Sequence, residues 1–206
     1  ELPEFSRKVL EVLREPLESG RIIISRAANQ AEFPANFQLI AAMNPCPCGY
    51  LGHSNGRCHC SSEQVERYRN KLSGPLLDRI DLHVEVPNLT QQQMTRQGQS
   101  GEPSREVAAR VIRCRKIQLQ RSGKTNAKLS NKELNQHCGL TSKDTLMLEK
   151  AIDTLGLSAR AFHRILKIAR TIADLSEEER IQSSHLSEAI GYRKLDRKQI
   201  EFAPLI

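Results

Sequence analysis

Apolar residues near the start of the chain recur three to four positions apart, at Phe5, Val9, Leu10, Leu13 and Leu17. This spacing predicts one amphipathic helix over about residues 3–18, and Gly20 follows as its stop signal. The β-branched run over residues 21–26 predicts a short strand. With the turn-like residues after it, the stretch 21–35 predicts a hairpin.

A second apolar run covers residues 37–43 and stops at Asn44-Pro45. A run this short and this apolar is typical of a strand buried on both faces, in a parallel sheet. Proline cannot donate to a sheet ladder, so we expect Asn44 at the carboxyl end of that strand. Ligands bind at this end of open α/β sheets. A further strand is predicted over residues 80–86, where Leu82, Val84 and Val86 alternate before Pro87.

Helical patterns dominate the rest of the chain. Residues 62–72 predict a helix that Gly74-Pro75 breaks. A Gln-, Gly- and Ser-rich stretch over 88–103 then predicts a linker. Beyond it, a helix over 104–121 ends at Gly123, and later helices are expected after the caps Ser130, Thr141 and Ser158, with a last one over about 184–192. We therefore predict an α/β core over 1–87, a linker over 88–103 and an all-α bundle over 104–206.

The charge balance indicates an anionic partner or a basic soluble surface. The 206 residues hold 31 Lys and Arg against 24 Asp and Glu, a net charge of +7. Basic residues gather between positions 105 and 128, where binding of DNA phosphates and a solubilising surface are both open. No apolar run has the length of a membrane span, and no signal peptide opens the chain. We expect a cytoplasmic protein with no membrane partner.

Four of the six cysteines lie close together, at Cys46, Cys48, Cys58 and Cys60. In a chain without an export signal such pairs indicate reduced thiols or a metal rather than disulfides. Four thiolates can hold a tetrahedral structural Zn²⁺, with His53 and His59 as reserve ligands. Free reduced thiols remain the alternative. We expect Cys114 and Cys138 to be packing residues in helices.

Four polar residues are candidates for phosphate chemistry, each with a simpler alternative. Glu1 can polarise a water, or it has no role. Asn44 can orient that water, or it belongs to an ordinary Asn-Pro turn. Arg79 can reach a phosphate on a neighbouring subunit, or it pairs locally with the aspartates beside it. Arg160, in the first turn of a helix where the dipole disfavours a cation, can meet a phosphate or lie on a solvated basic face.

Five segments appear in an order that resembles a known family: ELPEF, GRIIISRA, FQLIAAMNPCPCG, SGPLLDRIDLHVEVP and LSARAFHRILKIARTIADL. From residue 1 to about 197 the chain is similar to the ComM/YifB family, which are magnesium-chelatase-like AAA+ ATPases. The resemblance implies that Glu1 is the Walker B glutamate and Asn44 sensor 1. It likewise implies that Arg79 is the arginine finger and Arg160 the sensor 2 arginine, with ATP and Mg²⁺ as cofactors.

The same resemblance implies a hexamer of identical subunits that moves on DNA, as in a branch-migration helicase of natural transformation. The segment 21–35 resembles a hairpin that projects into a central pore, and we expect its Arg21 and Arg26 to contact DNA. Two rivals stay open: a chelatase-type ATPase that remodels a protein or inserts a metal, and a zinc-stabilised DNA-binding module with no motor.

The sequence contains no G-x-x-x-x-G-K-[ST] P-loop and no acidic magnesium ligand ahead of Glu1. The resemblance therefore implies that this chain is the carboxyl-terminal part of a longer protein, without the family's Lon-like amino-terminal domain. On its own it is predicted neither to bind nor to hydrolyse ATP.

Overall fold

A computed structural model of the protein describes residues 1–26, 29–53, 56–87 and 101–193. Two compact units are present, Glu1–Ile80 and Asp81–Ile206. Most of the predicted 88–103 linker lies outside the described residues.

The first unit opens with two short helices where the sequence predicted one. A 3₁₀ turn over Leu2–Glu4 precedes α1 (Arg7–Val12), and α2 follows as Arg14–Ser19. The prediction of an unbroken helix is wrong because Pro16 has no N–H to donate to the carbonyl of Val12 and its ring crowds that carbonyl. The chain therefore turns at Leu13.

A β-hairpin follows, and it confirms the prediction for this segment. Strand β1 (Arg21–Arg26) pairs antiparallel with β2 (Asn29–Pro34), and Ile22 lies opposite Phe33. Gly20 ends α2 with a left-handed φ of 70°, and a Cβ there would lie 2.5 Å from the Asn36 Oδ1. Only glycine fits this close approach without displacing Asn36.

The predicted parallel sheet is absent from the described residues. The run 37–43 forms no strand, and Ile40 is 84% exposed. A strand needs a neighbour to satisfy its backbone, and among the described residues one bond of this kind reaches the run, from the Leu2 N–H to the Ala42 carbonyl. Residues 82–86 likewise form no strand, and Leu82, Val84 and Val86 are exposed.

Two further helices complete the described part of the first unit, α3 (Ser62–Arg69) and α4 (Gly74–Leu77). The helix predicted over 62–72 ends at Arg69, ahead of the predicted break at Gly74-Pro75. This pair begins α4, with the Ser73 hydroxyl accepting from the Leu76 N–H at 3.3 Å. Proline suits the first turn because the N–H it lacks has no partner within the helix there. Leu2, Leu10, Leu72 and Leu76 form the small buried core.

From residue 101 onward, the described part of the second unit consists of helices and their connecting turns, as the sequence predicted for 104–206. Its helices are α5 (Ser104–Ser122), a 3₁₀ turn over Asn126–Lys128, α6 (Asn131–His137), α7 (Ser142–Leu155), α8 (Ala159–Leu175) and α9 (Ser183–Gly191). The predicted caps are confirmed, because the side chains of Ser130, Thr141 and Ser158 each accept a backbone N–H three residues later.

Helix α8 is the centre of this unit and packs against α5, α6 and α9. The core consists of fully or nearly fully buried apolar residues, among them Leu134, Leu148, Ile165, Ala169 and Leu186. Cys138 lies in this core and Cys114 is buried, which confirms both as packing residues. Among the described residues, no helix combines the length and apolar character that crossing a bilayer requires.

Candidate functional site

The four clustered cysteines bring their sulfurs together in the first unit. The Sγ atoms of Cys46, Cys48, Cys58 and Cys60 all lie within 4.8 Å of one another. Individual separations are 3.4 Å from Cys46 to Cys48, 3.8 Å from Cys46 to Cys58 and 3.6 Å from Cys48 to Cys58. These distances exclude disulfide bonds, and the cysteines are free.

The spacing matches what a tetrahedral thiolate site requires. Sulfurs about 2.3 Å from a central Zn²⁺ lie about 3.8 Å from one another. The backbone also supports the arrangement, since the Leu51 N–H donates to the Cys46 Sγ at 3.3 Å and the Gly49 N–H donates to the Cys46 carbonyl at 3.0 Å. The donor set is therefore ready to hold a soft divalent metal.

The thiols of this cluster differ in their readiness to ionise. The Tyr50 main-chain N–H lowers the pKa of Cys48 to about 6. The main-chain N–H of Cys48 lowers the pKa of Cys60, but the neighbouring Cys48 sulfur and burial outweigh it and raise that pKa to about 12. Cys48 therefore loses its proton easily, and the negative charge of its thiolate opposes deprotonation of Cys60. A bound dication offsets this repulsion.

The two histidines named as reserve ligands do not join the cluster. In the described part of the chain, the only group of three or more metal-ligating side chains is the four cysteines. His59 is exposed. His53 instead packs its ring edge-on against Tyr50, with the centroids 6.0 Å apart.

The segments that carry Glu1 and Asn44 adjoin each other in the first unit. The Leu2 N–H donates to the Ala42 carbonyl at 2.8 Å, so the segment that begins with Glu1 runs beside the one that ends at Asn44. Burial raises the pKa of the Tyr68 phenol, the Asn44 main-chain amide opposes that rise, and the charges of Glu4 and Glu1 add to it. The side chains of Glu1 and Asn44 are exposed, which leaves them accessible to a ligand.

Arg79 is held by partners that the sequence did not indicate. Its guanidinium donates to the Pro75 carbonyl at 2.6 Å and forms an ion pair with Glu18, 61 residues earlier. The Arg79 side chain is only 9% exposed. To act on a neighbouring subunit, it must exchange Glu18 for the phosphate.

Arg160 lies in the first turn of α8, in the second unit, and is exposed. Two residues on the same helix face have partners: Arg164 forms an ion pair with Asp81, and Lys167 Nζ donates to the Ala127 carbonyl at 3.0 Å. Burial lowers the pKa of Lys167. This stripe is therefore not simply a solvated face. The convergence of Arg160 with Glu1, Asn44 and Arg79 stays a prediction.

The two hairpin arginines predicted to contact DNA lie at opposite ends of β1. Arg21 is exposed and pairs across the hairpin with Glu32 at 3.2 Å. The side chain of Arg26 is outside what the structure describes. Their role in binding DNA stays a prediction.

The basic cluster between residues 105 and 128 is partly used inside the second unit. Arg110 pairs with Glu102, Arg113 with Glu177 and Lys124 with Glu133. Arg121 forms two hydrogen bonds with Asp174. These pairs place several of the basic residues in structural roles.

Sequence reasoning missed Tyr68, Glu18 and Asp174. Tyr68 is 7% exposed and Asp174 is 1% exposed. Buried polar side chains outside a motif give no local signal, because their importance depends on partners far along the chain. The one available hint is the capping box at Ser61 and Gln64, which fixes the start of α3 and so the direction of Tyr68.

Comparisons with known proteins agree over nearly the whole chain. Residues 1–94 match the family described as Magnesium chelatase, subunit ChlI, and residues 101–193 match its C-terminal family. Competence protein ComM of Haemophilus influenzae is 54% identical over 197 residues, which is 96% of this chain and 38% of that protein.

Two further relatives extend the comparison to other bacteria. YifB of Escherichia coli is 46% identical over 206 residues, 100% of this chain and 40% of that protein. An uncharacterised protein of Mycobacterium tuberculosis is 36% identical over 198 residues, 94% of this chain and 39% of that protein. The chain thus spans about two fifths of the length of these relatives.

Proposed function

The chain belongs to the magnesium-chelatase-like family that includes ComM and YifB, and from this we propose that it is part of an ATP-hydrolysing motor that acts on DNA. The observation that supports the proposal is the hydrogen bond from Leu2 to Ala42, which joins the segment that begins with Glu1 to the segment that ends at Asn44. A carboxylate and a carboxamide on adjoining segments are the two groups needed to activate and orient a water at a terminal phosphate.

Each of the two residues has a distinct task in this proposal. The Glu1 carboxylate accepts a hydrogen bond from the attacking water and polarises it. The Asn44 carboxamide donates one hydrogen bond and accepts another, so it fixes the direction in which that water points. Positioning of this kind supplies most of the catalysis in phosphoryl transfer.

The two arginines act on charge in the proposed site. Arg160 binds the terminal phosphate, and Arg79 acts from a neighbouring subunit, so the active form is a ring of identical chains, a hexamer by the family resemblance. An arginine that reaches the transferring phosphate stabilises the charge of the transition state. Arg79 is largely buried in its ion pair with Glu18. This pair supports a mechanism in which Glu18 holds Arg79 in the single chain and releases it when the ring assembles.

The magnesium that accompanies ATP supplies charge neutralisation at the phosphates. We assign it no ligand here, because the only metal-ligating group of three or more among the described residues is the four cysteines. Thiolate donors suit zinc rather than magnesium. The metal that fits the four cysteines is a structural Zn²⁺, held by Cys46, Cys48, Cys58 and Cys60. Four protein ligands leave no open position on the metal for catalysis.

Two features favour DNA as the molecule acted on. The formal net charge is +7, and the hairpin strand that carries Arg26 also carries an exposed Arg21. The relative from H. influenzae is named a competence protein. The chelatase family match favours a second candidate, an ATPase that remodels a protein or inserts a metal.

DNA-stimulated ATP hydrolysis tests the proposal and separates the two candidates. The measurement uses a protein of the relatives' length that contains this chain, hereafter the full-length protein. We expect hydrolysis that rises with added DNA and is lost in Glu1→Gln. Hydrolysis indifferent to DNA favours the chelatase-type role. Absence of hydrolysis, together with tight salt-sensitive DNA binding by the 206-residue chain alone, favours the zinc-stabilised DNA-binding module.

A further inference from the structure

The turn that follows Asn44 packs back against the Asn44 side chain. The Asn44 Cγ and Nδ2 lie 3.8 and 3.9 Å from where a Cβ on Gly49 would be. Gly49 has a φ of 80°, and its N–H closes the turn by donating to the Cys46 carbonyl at 3.0 Å. The turn that presents Cys46 and Cys48 is therefore one wall of the space around the carboxamide.

The end of α3 supports the same segment from another direction. Arg69 Nε donates to the Pro45 carbonyl at 3.4 Å. Tyr68 is buried, which raises the pKa of its phenol, and the Asn44 main-chain amide opposes that rise, so the phenol lies near this amide. Tyr68 is thus buried beside the segment that carries Asn44, and the charges of Glu1 and Cys46 act on its phenol.

We propose that the cysteine centre and Tyr68 together position the Asn44 carboxamide, so that metal binding by the four cysteines sets the geometry of the hydrolytic site. The inference rests on the proposed function, in which Asn44 orients water. Between Asn44 and Cys46 lies only Pro45, whose φ is fixed by its ring. A displacement of Cys46 therefore also displaces Asn44.

This arrangement predicts that changes at Tyr68 or the metal affect the positioning of Asn44 and not the binding of ATP. Tyr68 touches no substrate, and its contribution acts through Asn44. Loss of the Tyr68 hydroxyl or of the metal therefore lowers kcat and leaves KM for ATP unchanged, because nucleotide affinity depends on other groups. A misplacement of about 1 Å lowers the rate by about a hundredfold.

The first experiment measures geometry in the 206-residue chain itself, by NMR of the Asn44 side-chain amide with zinc bound. Tyr68→Phe is expected to keep zinc at full stoichiometry and to shift the Asn44 amide signals. Tyr50→Phe makes the same chemical change at an exposed tyrosine beside the cluster and should leave them in place. Chelation of zinc should shift Asn44 and Tyr68 while Tyr192, in the second unit, stays unchanged.

Unchanged Asn44 signals in Tyr68→Phe and after chelation overturn the inference. If chelation unfolds the whole first unit, the zinc-bound Tyr68→Phe protein still decides the matter, because its fold and metal content are measured in the same sample.

The second experiment measures turnover in the full-length protein. Tyr68→Phe is expected to lower kcat about tenfold to a hundredfold at constant KM, and Tyr50→Phe to leave both unchanged. An unmodified full-length protein without hydrolysis refutes the proposed function but not the NMR result. Normal kcat in Tyr68→Phe refutes the positioning role alone.

Discussion

Arg121 holds Asp174 in the second unit with two hydrogen bonds, of 2.5 Å from Nη1 to Oδ1 and 2.7 Å from Nη2 to Oδ2. The Asp174 side chain is fully buried. Arg170 Nε and Asn126 Nδ2 also donate to its carboxylate, at 3.1 and 2.8 Å. One buried acid therefore joins α5, the 3₁₀ turn at Asn126 and α8.

Asp174→Asn removes the charge that these two arginines share. Because Arg170 is only 3% exposed, it would be left as a buried cation, and loss of one partner of such a pair costs about 3–5 kcal/mol. Hydrogen exchange of the α8 amides in urea measures this loss. Glu102→Gln is the matched control, since it breaks the exposed two-bond pair with Arg110, which solvent screens, so the variant should lose far less stability. Equal losses in the two variants would contradict the buried-network assignment.

Glu133 predicts how the second unit responds to acid. The Lys124 ammonium, followed by the Ser130 hydroxyl and amide, lowers the pKa of Glu133 from 4.5 to about 2. A pKa that is lower in the folded state gives stabilisation that is complete above about pH 4.5 and is lost as the pH falls towards 2. Glu133→Gln is therefore expected to flatten the loss of stability across this range.

Acid titration of α6 unfolding, followed by NMR, measures the effect. Glu149→Gln changes an exposed glutamate on α7 and serves as the control, with an acid response like that of the unmodified chain. A Glu133→Gln protein that loses stability as steeply as the control argues against the Glu133 pKa shift as the source.

Cys46→Ser tests the metal centre directly. Cys46 is fully buried and its sulfur lies 3.4 Å from Cys48 and 3.8 Å from Cys58. We expect the unmodified chain to bind roughly one zinc and the variant to lose most of it, with lower thermal stability of the first unit. Metal analysis and the thiolate absorption bands of the cobalt-substituted protein measure occupancy.

Cys114→Ser makes the same change at a buried cysteine of the second unit and should retain zinc. Metal content unaffected by Cys46→Ser, or an unmodified chain that purifies without metal and binds none on addition, leaves the free-thiol alternative.

Arg79→Ala in the full-length protein tests the arginine finger. We expect ATP turnover to fall by about a thousandfold or more while the subunits stay folded. Glu18→Gln breaks the same ion pair but keeps the arginine, so it should leave turnover intact. This control separates loss of a structural contact from loss of the catalytic cation.

Mixing of inactive subunits tests whether Arg79 acts across a subunit boundary. Rings assembled from Arg79→Ala and Glu1→Gln subunits contain some boundaries with both functional residues, so activity should partly return. Mixed rings as inactive as their parents would argue that both residues serve the same subunit's site.

Local patterns predicted much of this protein. The hairpin of β1 and β2, the helix stops at Gly20 and Gly123 and the caps at Ser130 and Ser158 all follow from contacts within a few residues. The sulfur cluster was also predictable, because its four cysteines lie within one short segment. In each case the interacting groups are close in sequence, so their identities and spacing are enough.

Partners distant in sequence were beyond such reasoning. Arg79 meets Glu18, and Arg121 meets Asp174 53 residues away. The strand pattern at 37–43 was read correctly as apolar, yet a strand forms only against a neighbour, and the described residues give it one bond. Sequence alone determined the hairpin, the helix caps and the cysteine cluster. The tertiary structure decided which charges are buried and that the segment of Glu1 adjoins that of Asn44, because burial and long-range pairing depend on how the whole chain packs.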